Sequence, residues 1–541
     1  MRVLLIYPNQ SMTTRAPLGI GYLSSFLKNA GHDMKLLDYT FIKCGDAIGD
    51  DALREKNLQV SNPDFDKHGL VEKKIDIFYE LEKEIEEYKP GLIAMSTVDP
   101  NHNFGMKLLN HCKNKYPKIK ILVGGPLATL VPNDILNEEC VDIVGIGEAE
   151  ESLVELCNNL ESKNYESIYK TKNMWVKDLN YAENKKVHKN IAALPNIEHG
   201  LAPDLGIFDD RHFLRPLGGK IYRMATVIWT RGCVFHCSYC ANETFYRAYN
   251  AIPKQYYRKK DALALVDELA EIKKTYNLNF LFFVDDIWPM HDVELVKKFC
   301  DAYKKKVDLP FSVNLQCKLI NEKAFEIAVD AGLSNICVGV ESGSENVRRK
   351  ILKRNYKDAD VVRAFDLAHK HKIRSSSFNI IGLPHETRDD IFKTIELNRE
   401  AKPDSATVTF FHPYRGAPLR KLCVEEGLIN AEDSKHEDMY RTESQLNMPQ
   451  ITKKELSNLM QAFQLYFKLP KKFWPLIKES EDTTSEKGQK IREDILLPAF
   501  REVLSKETKF DFTKNNRKPL NSFLEKEKIF SNNQKTHANI T

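Results

Sequence analysis

Several absences narrow the reading before any motif does. Across 541 residues there is no run of about eighteen apolar side chains, so no segment reads as a membrane-spanning helix. The amino terminus, "MRVLLIYPNQ", does not read as a secretory leader, because its apolar run is short and Pro8 follows at once. Together these absences predict a cytoplasmic protein. Neither sign of charge is in excess: Lys+Arg 80 stand against Asp+Glu 76, a formal net charge of +4. That balance argues against the broad basic face of a nucleic-acid binder. No solenoid-type repeat recurs. Most of the eleven cysteines are isolated, and Cys44, Cys112, Cys140, Cys157, Cys300, Cys317, Cys337 and Cys423 read as reduced thiols, mostly within apolar runs.

What is present begins with length, which is too great for one core and predicts two to four domains. Over residues 1–163 short apolar runs ("VLLIYP", "MKLLDYT", "GLIAMST", "IKILVGG", "VDIVGIG") alternate with amphipathic stretches. Fully apolar runs separated by helices predict a parallel sheet covered on both faces, here a Rossmann-like doubly wound domain of five strands. Ligands of such sheets bind beyond the carboxyl ends of the strands. Residues 46–75 read as a polar, irregular inserted loop, and 164–218 as a linker with a small hairpin. From 219 to 445 the alternation is more regular: "RMATVIWT", "NFLFFVDD", "FSVNLQ", "NICVGVES", "IRSSSFNIIGLP" and "SATVTFFHPY" predict six βα units, a (β/α)6 partial barrel. Leu265, Leu269 and Ile272 form one helical stripe, and Val296, Phe299, Cys300 and Tyr303 another. Residues 446–541 read as a helical carboxyl-terminal region, with Leu459, Phe463 and Phe467 as a packing stripe and a loosely ordered tail.

The one cysteine cluster lies in "TRGCVFHCSYCANETF", where Cys233, Cys237 and Cys240 follow the first barrel strand. Zinc and most iron–sulfur sites use four protein ligands. In a cubane 4Fe–4S cluster three cysteines leave one iron open, which is useful only if a small molecule binds there. Three other readings compete. His236 would complete a zinc site, although zinc usually takes two ligand pairs separated by a longer span. A disulfide and plain core packing are the others, the first disfavoured in a reducing compartment and the second by the polar "HCSYC".

The Cys-x3-Cys-x2-Cys spacing on a six-unit barrel resembles the radical S-adenosylmethionine (SAM) superfamily. With a Rossmann-like domain before it, the chain is similar to the cobalamin-binding branch over roughly residues 1–445. The resemblance implies that Cys233, Cys237 and Cys240 hold the cluster, whose open iron binds SAM and cleaves it to a 5′-deoxyadenosyl radical. It places Tyr239 near the adenine, with local packing as the alternative. The strand-end pair Asp285 and Asp286 is placed on the SAM ammonium or ribose, with a helix cap as the alternative. Glu341 and Ser342 fall at the ribose-contacting position, while Ile381 and Gly382 offer backbone to the adenine. In "FFHPYRGAPL", Arg415 and Ala417 depart from the family's strand exit. In the first domain Gly124, Gly125 and Thr129 of "GGPLATLVP" fall at the cobalamin edge, with Leu127 where relatives often carry histidine. The Asp-x-His-x-x-Gly signature for a lower cobalt ligand is absent, and "DKHGL" does not fit it.

The activity these features imply is functionalisation of an unactivated C–H bond, with cobalamin-assisted methylation as the leading outcome. Radical cyclisation or rearrangement of a lipid, tetrapyrrole or natural product is the alternative, and a cobalamin or SAM sensor without turnover is another. A methylthiotransferase-like RNA modifier needs a second cysteine trio, and the auxiliary-cluster branch needs cysteines after the barrel; the sequence has neither. Expected partners are a small-molecule or lipid-like substrate and an external reductant such as flavodoxin or ferredoxin, with no nucleic acid.

Overall fold

Strand β1 (Arg2–Tyr7) is apolar on both faces: Val3 and Leu5 pack into one core, Leu4 and Ile6 into another. Such a strand belongs inside a parallel sheet covered by helices on both sides. The computed structural model, which describes residues 1–10, 14–44, 50–60, 63–178, 187–190, 193–431 and 442–507, places it there. β1 pairs in parallel with β2 (Asp33–Asp38) and β3 (Leu92–Ser96), and β4 (Lys120–Gly124) and β5 (Ile143–Gly145) continue the sheet. Helices Leu18–Asn29 and Glu150–Glu161 pack together, as do Ile77–Tyr88 and His102–Lys115. Asp76 caps one of these, its carboxylate accepting from the backbone N–H groups of Phe78 and Tyr79.

The segment expected to be a linker also adds structure to this sheet. β6 (Met174–Lys177) and β7 (Val187–Lys189) pair antiparallel onto β5, giving the order β2-β1-β3-β4-β5-β6-β7. Further along, Asp204 accepts hydrogen bonds from Ser24 at 2.6 Å and Lys28 at 2.7 Å, tying the segment to the first helix.

The second sheet opens with a hairpin of β8 (Leu214–Leu217) and β9 (Lys220–Val227). At its mouth β10 (Thr230–Arg231) and β11 (Arg258–Lys259) form a short ribbon. β12 (Phe280–Phe283), β13 (Phe311–Leu315), β14 (Leu333–Glu341), β15 (Arg374–Ile381) and β16 (Ser405–Phe410) then follow β9 in parallel order. The sheet is a partial barrel, open between β8 and β16. Its outer face carries the two expected helical stripes in the main core.

An open barrel leaves an edge strand with unpaired backbone groups. Here the inserted segment covers it. The segment is not wholly irregular: it contains helix Asp50–Lys56, and Gln59 beyond that helix pairs with both backbone groups of Val408 on β16, at 2.8 and 3.1 Å. Gln464, on helix Lys453–Lys468, donates to the Ala406 carbonyl at 2.6 Å. That helix buries Leu459, Phe463 and Phe467 in a core shared with β15 and β16. The tail from 508 onward lies outside the described residues. Among the described residues, no helix is long and apolar enough to cross a membrane.

Candidate functional site

The cysteine loop leaves the barrel through Gly232. Its φ of +86° lies in the left-handed region, and a Cβ there would meet the Tyr256 carbonyl at 2.6 Å, so only glycine fits. The loop is pinned at Ser238, whose N–H donates to the Leu352 carbonyl at 3.2 Å and whose carbonyl accepts from Leu419 at 2.8 Å. The two anchors follow β14 and β16, so the far strands fix the loop that follows β9. Cys233, Cys237 and Cys240 are free and half-buried. Burial pushes the thiols of Cys233 and Cys240 up to about 12, and raises that of Cys237, where Arg354 opposes it.

The donor set discriminates between the metal readings. The three sulfurs lie within electrostatic range of one another, yet among the described residues no group of three His, Cys, Asp or Glu closes on a single ion. His236 turns away to Tyr246, its Nδ1 2.9 Å from the hydroxyl. Three thiols on one pinned loop fit a cubane, in which each cysteine takes its own iron, and with His236 on Tyr246 the zinc reading loses its fourth ligand.

The acidic pair after β12 divides. Asp285 is fully buried and its carboxylate accepts from the backbone N–H groups of Trp229, at 3.0 Å, and Thr230, so it holds the strand leading to the cysteine loop. Burial raises its pKa to about 7. One oxygen thus serves the scaffold, while Oδ2 is buried without a hydrogen-bond partner. Asp286 is exposed and lines the cavity described below, beside Cys233 and Cys240, with its pKa also raised by burial.

At the end of β14, Glu341 adopts a φ of +60° where the register with β15 shifts. The Tyr239 hydroxyl donates to its Oε1 at 3.1 Å, and Arg354 donates to the Tyr239 oxygen at 2.8 Å while lying 3.3 Å from the carboxylate. Tyr239 is thus held in a polar triad. Arg354 also hydrogen-bonds toward Cys237. Sequence reasoning missed Arg354; its only signal was the basic run in "VRRKILKR", which reads as surface.

Ser342 is buried, its hydroxyl accepting from the Ser344 N–H at 3.2 Å inside the turn. The Ile381 side chain packs in the core, and its carbonyl accepts from Phe411 at 2.8 Å. Gly382, at φ +76°, donates its N–H to Glu386 at 2.7 Å and faces Leu456. Backbone expected to lie along an adenine is therefore already engaged within the protein. Glu386, whose pKa burial raises to about 8, organises that turn.

Across from the barrel mouth, the carboxyl ends of β1, β3, β4 and β5 form the other wall of a cavity of about 500 Å³. Gly124, Gly125 and Thr129 line it, as do Arg231, Gly232 and Asp286 from the barrel side. A Cβ on Gly125, at φ +91°, would meet the Thr97 nitrogen at 2.8 Å. On Gly147 a Cβ would strike the Tyr249 hydroxyl at 2.0 Å. Thr129 spans the two glycine turns, accepting from the Gly147 N–H at 2.7 Å. Leu127 is buried in the core, and no described residue lining the cavity is a histidine. This glycine-edged cradle fits a cobalamin that takes no lower histidine from the lining.

Arg231, also missed in the sequence, clamps the two walls. It pairs with Glu148 and, at 2.7 Å, with Glu150, while its guanidinium lies 4.6 Å from the Tyr22 ring centroid. The carboxylates raise its pKa against the effect of burial.

The architecture thus sets a three-thiol loop at a barrel mouth beside a Rossmann-like glycine edge, with Asp286, near two of the thiols, and the glycines lining one cavity. A radical SAM superfamily model matches residues 227–397, and a B12 binding domain model matches residues 13–157. The anaerobic magnesium-protoporphyrin IX monomethyl ester cyclase of Cereibacter sphaeroides is 25% identical over 438 residues, covering 77% of this chain and 63% of that one. An uncharacterized methyltransferase of Pyrococcus horikoshii is 23% identical over 447 residues, covering 79% of this chain and 84% of that one. Among solved structures, the cobalamin-dependent SAM radical enzyme OxsB with aqua-cobalamin and SAM bound superposes with a TM-score of 0.61 at 15% identity, over 100% of this chain and 81% of that one. The chain belongs to the cobalamin-binding-domain-containing radical SAM enzymes. Its cofactors are a 4Fe–4S cluster, SAM and cobalamin.

Proposed function

We propose that this enzyme methylates an unactivated carbon of a small-molecule substrate. The observation that carries the reading is the single cavity onto which both Asp286, beside the cysteine loop, and the Gly124–Gly125 edge open. When bound and reduced, the cluster would supply the electron for cleaving SAM, and cobalamin would supply the methyl group.

The chain's own residues do the positioning. Cys233, Cys237 and Cys240 hold three irons, and Gly232 sets the turn that presents them. Asp286, which lines the cavity, would receive the ammonium or ribose of SAM. Tyr239, on the cysteine loop, and Glu341, at the end of β14, are held together by Arg354. Gly124, Gly125 and Thr129 let corrin approach backbone. The Arg231 clamp keeps the two walls in register. An external reductant such as flavodoxin or ferredoxin serves the cluster.

The test is anaerobic reconstitution with dithionite, cobalamin and SAM carrying a deuterated methyl group, followed by mass spectrometry with candidate substrates. Release of 5′-deoxyadenosine and a product heavier by the labelled methyl is expected. A dehydrogenated or cyclised product without label would instead make the enzyme a cyclase. SAM binding with no 5′-deoxyadenosine would leave a sensor.

A further inference from the structure

The interior of a closed parallel barrel is normally packed with bulky branched side chains. Here the lowest layer is bulky, with Tyr222, Met224 and Phe280 packed together, and small polar side chains stand above it. Side chains alternate along each strand, and parallel register aligns Thr226 with Phe282, Phe282 with Ser312, Ser312 with Asn335 and Asn335 with Arg374. Hydrogen bonds confirm that the last three share a face: Arg374 donates to Asn335 at 3.0 Å, and Asn335 to Ser312 at 2.6 Å. The next layer is Cys337, Ser376 and Ser405, and the one above it Gly339, Phe378 and Thr407.

Ser312 and Asn335 are fully buried, but higher in the barrel the space is not filled. Phe378 is 38% exposed although β15 has a strand on each side. Its neighbours Ser377 and Asn379 both bond to Asn398 on the covering helix, at 2.5 and 2.8 Å, so Phe378 points into the lumen. The Asn314 Oδ1 is buried without a hydrogen-bond partner.

Two cations meet at the lower part of this face, with Asp50 acting on Arg15 and Asp51 on Arg215 from beyond ion-pair distance. Arg15, from the segment after β1, and Arg215, on β8, stand 6.0 and 5.2 Å from the centroid of the same Phe282 ring. Arg215 also donates to Thr226 at 3.3 Å. Nearby Arg54 has Asp51 at 3.1 Å, and Arg374 has the Asn335, Ser376 and Ser405 oxygens. Among the described residues, neither Arg15 nor Arg215 has a carboxylate at ion-pair distance. Arg15 is exposed by area, yet burial lowers its pKa, as does the charge of Arg54. Burial, followed by the charge of Arg15, pushes Arg215 down to about 9. Desolvating unpaired cations is costly, and an anionic ligand would offset it.

Taking the carboxyl edge of the barrel as the reaction site proposed above, we propose that Arg15 and Arg215 bind the anionic end, a carboxylate or phosphate, of an elongated substrate lying in the barrel lumen. Asn335, in the arginine layer, and Glu341, at the carboxyl edge, are six residues apart on β14, about 20 Å along an extended strand. Between these levels the lining is Cys337, Ser376, Ser405 and Thr407 with Phe378 exposed among them, so the body of the substrate meets one apolar ring in an otherwise small-residue wall. The substrate class is an elongated acid whose reacting carbon lies far from its charge.

Binding is measured without turnover, by titrating reconstituted holoenzyme with inorganic pyrophosphate and, separately, with decanoate. Saturable binding of one, weakened on the order of tenfold or more in Arg15→Met and Arg215→Met, supports the site and tells phosphate from carboxylate. Arg215→Lys should retain part of the affinity. Without ligand, each Met variant should melt above the parent, because a desolvated cation has been removed; a merely structural arginine would lower the melting temperature. The proposal is overturned if neither probe binds, or if both Met variants bind like the parent. Failure of SAM cleavage would instead sink the functional reading and leave the anion site standing.

Discussion

Glu386 shows how one side chain can organise a turn and carry a cost. One carboxylate oxygen accepts from the Gly382 and Leu383 N–H groups, at 2.7 and 3.2 Å, while the other is buried without a partner. Burial raises its pKa from 4.5 to about 8. The folded state thus holds the proton more tightly than the unfolded chain. Its contribution is fully present below pH 4.5 and is lost as pH rises toward 8, by roughly 1.4 kcal/mol per pH unit across that window. Glu386→Gln keeps an acceptor for both N–H groups and removes the titration. Denaturant melts at pH 5 and 8 should show a flatter pH dependence for the variant, and an unchanged slope would contradict the assignment. Arg354 is the opposite case, a buried cation satisfying Glu341 and Tyr239. Arg354→Met should cost about 3–5 kcal/mol in the same melts, because it strands a buried carboxylate.

At the scale of the element, the cysteine loop and the glycine turns owe their shapes to contacts from elsewhere. Ser238 anchors the loop through backbone atoms, so Cys233→Ala, Cys237→Ala and Cys240→Ala should each fold. Each should lose most iron and sulfide on reconstitution and release no 5′-deoxyadenosine. Near-parental cluster content in any of them would remove that residue from the ligand set. Gly125→Ala puts a Cβ against the Thr97 backbone in a left-handed conformation. Cobalamin retained after desalting, read by absorbance, should fall on the order of tenfold while cluster content is kept, given a strain of about 1–2 kcal/mol. Equal retention would show that this turn does not carry the corrin.

At the scale of the molecule, an open barrel is completed by parts of the chain remote in sequence. Gln59 replaces a missing strand at Val408, and Arg231 locks the first domain to the cysteine loop. Gln59→Ala removes two hydrogen bonds at the β16 edge and should destabilise the fold by about 1–3 kcal/mol, measured by urea denaturation. A loss within error would mean that the insertion merely rests on the barrel.

The legible and illegible parts of the sequence divide along the same lines. The five apolar strands of the first sheet and the six of the barrel were readable, because their periodicity is local. The cysteine trio was readable because its spacing is chemistry in itself. Asp285 and Asp286 were not separable, since adjacent residues leave a strand toward opposite faces and one slip of register exchanges them. Ile381 and Gly382 looked free because Phe411 and Glu386, which occupy their backbone groups, carry no local mark of that role. The inward direction of Ser312, Ser376 and Ser405 carried no local mark either, since Ser376 stands between two other serines and Ser405 follows Asp404.

The sequence by itself determined the order of strands, the three thiols on one loop and the glycines at the sheet edge, because each depends on residues within a few positions of one another. Only the tertiary structure decided which carboxylate faces the cavity, that Arg231 and Arg354 stand at its walls, and that Arg15 meets Arg215 over one ring. Those outcomes are set by side chains that approach across long stretches of chain, where burial and pairing, rather than spacing, select the partner.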